Sequence, residues 1–271
     1  MYDLSDEDFR RLYSYMQEKF GIDLRRKKPL IVSRLSSILE SKGYKDFHSY
    51  VNDILGREDQ EMLTILLNKL TTNYTYFMRE ESHFDYLENV VLPELAKKHE
   101  KDRVLSIWSA GCSSGEEPYN ISMYLLEYFG KLPGKWDTRI LATDISHNVL
   151  SKAANPRYPA ESLEKLPKAW INKYFLPLGD GFYTVSEELR NNVIFRPFNL
   201  MEPIHFKRNF DLIFCRNVMI YFDQETKDAL VKRFFNATYP EGHLFIGHSE
   251  GLTKQTCPYK YIKPAIYRKE A

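Results

Sequence analysis

Over the first seventy residues the apolar positions recur at helical spacing only. Ser5, with Asp8 three positions later, predicts the start of a helix whose one face carries Phe9, Leu12, Tyr13, Met16 and Phe20, and Gly21 stops it. Pro29 opens a second helix with Ile31, Leu35, Ile38 and Leu39 inward and Gly43 beyond its end. Phe47, Tyr50, Val51, Ile54 and Leu55 make a third, ended by Gly56, and Met62, Leu63, Leu66, Leu67 and Leu70 make a fourth. These stripes predict a small helical bundle and are its core rather than a cofactor pocket.

The segment Thr71-Thr72-Asn73-Tyr74-Thr75-Tyr76-Phe77-Met78-Arg79-Glu80 breaks the pattern, with hydroxyl and amide side chains that favour turns and caps. A helix over Ser82–Leu95 follows. From residue 104 the chain alternates: strand Val104–Trp108, helix Pro118–Phe129, strand Arg139–Thr143, helix Asn148–Ala154, strand Asp211–Cys215, helix Gln224–Phe235 and strand His243–Gly247. That alternation predicts a doubly wound, Rossmann-like parallel sheet covered on both faces. Residues 157–197 do not fit it. Gly179-Asp180-Gly181 reads as a hairpin turn before Phe182–Val185, and Val193-Ile194-Phe195 as another strand. Part of this stretch is expected to be a small antiparallel β insertion. The expected division is a helical domain over 1–72, an interdomain segment and linker helix over 73–96, and an α/β domain over 97–271.

Composition narrows the class without naming a function. A chain of 271 residues with 43% apolar and 28% charged residues is ordinary for a globular protein. Its net charge of +1 announces neither a nucleic-acid partner nor an acidic tail. No stretch approaches the roughly 18 apolar residues that span a bilayer. The acidic start, Met1-Tyr2-Asp3-Leu4-Ser5-Asp6-Glu7-Asp8, is the reverse of a signal peptide. Cys112, Cys215 and Cys257 are odd in number and show no metal-ligand spacing, which suits reduced thiols and a cytoplasmic location.

The candidate chemistry begins at Trp108-Ser-Ala-Gly-Cys-Ser-Ser-Gly-Glu-Glu-Pro-Tyr119, a glycine turn after an apolar strand. Such a turn is expected to set backbone N–H groups and a carboxylate around a ligand-sized hollow at the strand's carboxyl end. Asp144 ends the next strand, where it serves either as an ordinary turn residue or as acceptor for both hydroxyls of a ribose. Glu117 either complements the helix dipole or faces the ligand. Phe210–Asn217 is a buried strand that ends in Arg216 and Asn217, with Tyr221 just beyond. A dinucleotide site would want three glycines in G-x-G-x-x-G, and a phosphate loop would want Gly-Lys-Ser/Thr; neither occurs. Glu116 and Glu117 would repel a pyrophosphate. They suit S-adenosylmethionine, which carries an ammonium, a sulfonium and a ribose diol but no phosphate.

Read together, these segments are similar to the bacterial chemotaxis receptor methyltransferases, the CheR family. The resemblance rests on T-T-N-x-T-x-F-x-R-E at 71–80, S-A-G-C-S-S-G-E-E-P-Y at 109–119, A-T-D-I at 142–145, N-L at 199–200, F-C-R-N-V-M-I-Y-F at 214–222 and F-I-G-H-S-E at 245–250. It implies transfer of the methyl of S-adenosylmethionine to glutamates on the cytoplasmic helical bundle of chemoreceptors, leaving S-adenosylhomocysteine. By the same resemblance Asn73, Thr75, Arg79, Ala110, Gly111, Glu117, Asp144, Asn199, Leu200, Arg216 and Asn217 line the cofactor site. Arg79 and Tyr221 would stand nearest the transferred methyl. On the residues alone, Arg79 could equally be a surface partner of Glu80 or Glu81, and Tyr221 a core aromatic.

The resemblance implies no metal, no nucleic acid and no membrane insertion. The loop at Pro177–Phe182 is short, resembling relatives that work without a receptor C-terminal pentapeptide tether. The cations Arg25-Arg26-Lys27-Lys28, with Arg34 further along, are either a receptor-facing patch or a solvated loop. Two further readings remain from other classes: a catalytically silent S-adenosylmethionine-binding adaptor, and a small-molecule or RNA methyltransferase on the same fold. The neutral charge weakens the RNA version.

Overall fold

The Ser5 hydroxyl accepts the Asp8 N–H at 3.0 Å and so opens α1 (Asp6–Phe20), which Gly21 ends in the left-handed region at φ 70°. α2 (Lys28–Lys42) begins on Pro29 and stops at Gly43, φ 74°. α3 (Phe47–Arg57) runs one residue past Gly56, and α4 (Gln60–Leu70) completes the set. The computed structural model describes residues 2–57 and 60–271. Its contacts divide the chain into two units: residues up to Asn73 together with Ile220–Lys227, and Tyr74–Met219 together with Asp228–Ala271.

In the helical unit α1 packs on α3 and α2 on α4. Leu12, Met16, Ile31, Leu35, Leu39, Tyr50 and Leu66 are fully buried, while Phe9, Tyr13 and Phe20 lie at the margin of the expected face. Asp8 takes a place on that face because Ser5, Arg11 and His48 all reach its carboxylate. The segment Ile220–Lys227 joins this unit through backbone pairing. Ile22 and Phe222 form an antiparallel bridge, and the Asp23 N–H donates to the Tyr221 carbonyl at 2.8 Å.

The second unit runs through α5 (Glu81–Tyr86), a π turn at Leu87–Val91, α6 (Leu92–Lys98), β1 (Ile107–Ala110), α7 (Glu116–Phe129), β2 (Ile140–Asp144), α8 (His147–Ala154) and β3 (Tyr158–Pro159). It continues with α9 (Lys168–Tyr174), β4 (Phe175–Gly179), β5 (Phe182–Val185), α10 (Glu187–Asn191), β6 (Val193–Pro197) and β7 (Phe210–Cys215). The last elements are α11 (Gln224–Ala237), whose first turn belongs to the helical unit, β8 (Thr238–Ile246), β9 (Lys260–Lys263) and β10 (Ile266–Arg268). The π turn interrupts the single helix expected over Ser82–Leu95. Pro93 has no N–H to give to the Asn89 carbonyl, and just before it the Leu92 N–H bonds the Leu87 carbonyl instead.

Seven strands form one sheet in the order β6-β2-β1-β7-β8-β10-β9. The first five are parallel, and β10 and β9 add an antiparallel edge absent from the strand pattern expected above. β1 is buried throughout, and its Trp108 packs edge-on against Phe198, Phe206 and Phe234 while its Nε1 donates to Thr143 Oγ1 at 2.9 Å. The architecture is thus an all-α N-terminal part followed by a Rossmann-like α/β sheet with a small antiparallel sheet, order β3-β5-β4. Asp180 and Gly181, at φ 51° and 75°, make the two-residue turn between β4 and β5. Of the stretch 157–197, Val193–Pro197 lies in the main sheet, parallel to β2 along its whole length. The chain leaves β1 toward β2 on one side and later returns to β7 on the other. The carboxyl ends of β1 and β7 therefore flank the topological switch point.

Candidate active site at the carboxyl edge of the sheet

The turn after β1 is strapped to the end of β2. The N–H groups of Gly111 and Cys112 both donate to the Thr143 carbonyl, at 2.8 and 2.9 Å, and that of Gly115 donates to the Cys112 carbonyl at 3.1 Å. The Ser113 N–H donates to Asp144 Oδ2 at 2.9 Å. This corrects the expectation of bare amides around a hollow: these donors are used inside the protein. What the edge presents instead is carboxylate. Gly111 stands at φ 87°, and a Cβ there would come within 2.4 Å of Val218 Cγ2, so only glycine lets the turn pass the end of β7. The small sheet supports the turn from its other end, since the Tyr158 hydroxyl donates to the Ser114 carbonyl at 2.8 Å.

Three acids converge there. Asp144, at the end of β2, also accepts the Ser146 N–H at 2.9 Å; burial raises its pKa, opposed by these backbone donors. Glu117, in the first turn of α7, turns back to β1 and β7. Its Oε1 accepts from the Ser109 hydroxyl at 2.8 Å and its Oε2 from Arg216 Nη1 at 3.0 Å. Burial raises the Glu117 pKa, with Arg216 pulling the other way. The third acid is Glu80. Its Oε2 accepts from Arg216 Nε and Nη2 at 3.3 and 3.2 Å, and its Oε1 from the His248 N–H at 3.0 Å. Arg216 also donates to the Arg79 carbonyl, and its side chain is only 2% exposed. A guanidinium removed from water and forked between two carboxylates is the arrangement in which a buried charge is tolerated.

The backbone here is unusual. Met78, Glu80, Ser113 and Asn217 all lie in the left-handed region, at φ 59°, 56°, 49° and 57°. Non-glycine residues hold such angles where surrounding bonds over-determine them, commonly at functional sites. Here the Met78 N–H donates to Asn120 Oδ1 at 2.6 Å and the Asn217 N–H to Glu250 Oε2 at 2.9 Å. Glu250 and Glu80 escaped the sequence-based site list. Glu250 belongs to the F-I-G-H-S-E segment and Glu80 closes the T-T-N-x-T-x-F-x-R-E segment, but the resemblance gives neither a site role, and on the residues alone Glu80 is a surface partner for Arg79.

The expected site residues fall into separate groups. Gly111, Glu117, Asp144, Arg216 and Asn217 gather at the strand ends of the second unit, with Ala110 fully buried at the end of β1. Asn199 and Leu200 follow β6; the neighbouring Phe198 N–H donates to the Asp144 carbonyl at 3.1 Å, and Asn199 Oδ1 accepts the Met201 N–H at 3.0 Å. Thr75 is half-buried. The Arg79 guanidinium donates to the Tyr74 carbonyl at 2.8 Å and lies over the Tyr76 ring. Asn73 and Tyr221 belong to the helical unit. There the Tyr221 hydroxyl accepts the Thr72 N–H at 2.9 Å and donates to the Thr72 carbonyl at 3.1 Å. Asn73 borders a polar groove of that unit with Ser33, Arg34, Ser37, Asn68 and Lys69.

Other groups with reactive side chains have structural settings. Cys112 is buried and its thiol pKa pushed well up by burial, as expected of a small core residue. His83 is fully buried, with Nδ1 3.4 Å from Glu80 Oε2. Burial, with Arg216 and His248 nearby, lowers its pKa to about 2, so the contact is not an ion pair. Glu80, His83 and His248 offer ligand atoms within 4.8 Å of one another, but Arg216 already occupies the carboxylate oxygen that faces His83. Asp211 binds Lys98 and His99, each at 2.9 Å, at the amino end of β7, away from the switch point.

Residues 73–267 match the SAM-binding domain of CheR methyltransferases, and residues 7–71 match the CheR all-alpha domain. The chain is 43% identical over 270 residues to a chemotaxis protein methyltransferase of Borreliella burgdorferi, a match covering 98% of this chain and 95% of that protein. It is 37% identical over 254 residues to chemotaxis protein methyltransferase 2 of Vibrio cholerae, covering 93% and 88% of the two chains. Against the chemotaxis protein methyltransferase of Escherichia coli the identity is 38% over 255 residues, covering 92% and 86%. The carboxylate-lined, amide-poor edge and these matches agree on S-adenosylmethionine as cofactor, and the chain belongs to the CheR methyltransferase family.

Proposed function

We propose that this protein transfers the methyl group of S-adenosylmethionine to glutamate side chains on the cytoplasmic helical bundle of chemoreceptors, giving glutamate methyl esters and S-adenosylhomocysteine. The observation that carries this reading is the set Glu117, Asp144 and Arg216 at the switch point. It suits a phosphate-free ligand with positive charge, and the relatives are named chemotaxis protein methyltransferases. In this reading residues 1–72 face the receptor, 73–96 form the interdomain segment and linker helix, and 97–271 bind the cofactor.

The cofactor supplies an electrophilic methyl when bound. Asp144 would hold its ribose hydroxyls and Glu117 its ammonium, with Ala110, Gly111, Asn199, Leu200, Arg216 and Asn217 completing the wall; the resemblance adds Asn73 and Thr75 to this set. The incoming glutamate has an ordinary pKa of about 4.3 and is already ionised near neutrality, so no general base is needed. Arg79 orients that carboxylate and Tyr221 shapes the transfer position. Alignment and exclusion of water then supply the rate, because opposite charges are lost as the bond forms. The two-residue Asp180-Gly181 turn leaves a short hairpin, which favours recognition without a receptor tether. Its site of action in this reading is the cytoplasm, where the receptor bundle lies; among the described residues no helix is long and apolar enough to cross a membrane.

Incubation with methyl-labelled S-adenosylmethionine and receptor cytoplasmic fragments tests the assignment. Label that attaches to receptor and leaves in mild base is the expected result. Cofactor binding with no label on receptor would instead identify a silent adaptor.

A further inference from the structure

Glu80 joins three segments that the chain order keeps far apart. It precedes α5 in left-handed backbone, at φ 56° and ψ 62°, and its carboxylate reaches Arg216 after β7 and the His248 N–H after β8. Asn217 Nδ2 lies 3.5 Å from its Oε1. Arg216 thus has a carboxylate on each side, Glu80 on one and Glu117 on the other. With Asp144 at the neighbouring strand end and Glu250 accepting the Asn217 N–H, the edge holds four acids against the buried Arg216 guanidinium. The remaining acid of the turn, Glu116, is bonded to the Ser114 hydroxyl at 2.7 Å.

That excess matters for this cofactor. S-adenosylmethionine carries a net positive charge, and loss of its methyl removes the sulfonium and leaves a neutral product. Resting on the cofactor site proposed above, we infer that Glu80 is a positioning residue: it fixes Arg216 and supplies the excess negative charge by which the site distinguishes the cationic donor from its neutral product. Glu117 alone would leave Arg216 half-paired and free to swing. It would also leave the edge one charge poorer, a loss felt by the cationic ligand and little by the neutral one. In a site shielded from water such a difference is worth about tenfold in affinity.

The test is calorimetric titration of the full-length protein with S-adenosylmethionine and, separately, S-adenosylhomocysteine. Glu80→Gln is expected to weaken the donor about tenfold and the product less than about threefold, shifting their ratio. Glu80→Asp keeps the charge while withdrawing the carboxylate, so it weakens both ligands and holds the ratio within about twofold of wild type. Equal weakening of both ligands by Glu80→Gln would overturn the inference. A shift of more than about threefold in the ratio of Glu80→Asp would do so as well, and that variant serves even if Glu80→Gln does not fold. A wild-type protein that bound neither ligand would count against the cofactor site itself, not against Glu80 alone.

Discussion

Glu117 Oε2 lies 3.0 Å from Arg216 Nη1, tying the first turn of α7 to the end of β7. The pair is removed from water and shared with Glu80. Taking Arg216 away strands two carboxylates. Arg216→Ala should cost about 3–5 kcal/mol of stability in urea unfolding, the range for breaking a buried pair by removing one partner. A loss below about 1 kcal/mol would mean that the pair is effectively solvated.

Proton linkage follows from the same acids. Burial raises Glu117 and Asp144 above their ordinary values of 4.5 and 3.8. Their contribution to the stability of the free protein is therefore fully present below those values and is lost as pH rises through the raised ones. A bound cation draws the same pKa values back down. Affinity for S-adenosylmethionine should then rise with pH across that window, and binding should release protons. Calorimetry in buffers of different ionisation enthalpy measures this; proton uptake on binding would contradict it.

Gly111 is tested by packing. Alanine there must adopt φ 87° and place its Cβ 2.4 Å from Val218 Cγ2. Gly111→Ala should destabilise the protein by about 2 kcal/mol or more, read as a lowered Tm. Adding Val218→Ala should recover part of the loss, since the two positions share one contact.

The two proposed catalytic residues should behave differently from the acids. Arg79→Ala should cut methyl transfer about 100-fold or more at saturating cofactor while leaving cofactor affinity largely intact. Transfer at near wild-type rate would remove Arg79 from the reaction. Tyr221→Phe loses the hydroxyl shared with the Thr72 backbone, so it should lower turnover and cost about 1 kcal/mol in unfolding of the helical unit.

Local rules carried much of the structure. The Ser5 cap, the Gly21 and Gly43 stops, the Asp-Gly hairpin and the placement of Gly111, Asp144 and Arg216 at strand ends all follow from short stretches read by period and turn chemistry. What escaped depends on long-range pairing. Glu80 sits beside Arg79 in sequence yet bonds a guanidinium 136 residues away, and Tyr221 pairs with the backbone 149 residues earlier. The edge strands β9 and β10 mix lysine and arginine with tyrosine and isoleucine and show no run that marks a buried strand. Glycine content signals backbone freedom, not whether the N–H groups remain available, so the fate of the turn amides is not legible locally; the Thr143 and Cys112 carbonyls and Asp144 take them.

Whether the strand-edge acids hold the methyl donor is most directly settled by titrating S-adenosylmethionine into Asp144→Ala. With circular dichroism matching wild type, affinity should fall about tenfold or more, because the ribose loses its carboxylate acceptor. Unchanged affinity in a folded Asp144→Ala protein would contradict the assignment of this edge as the cofactor site.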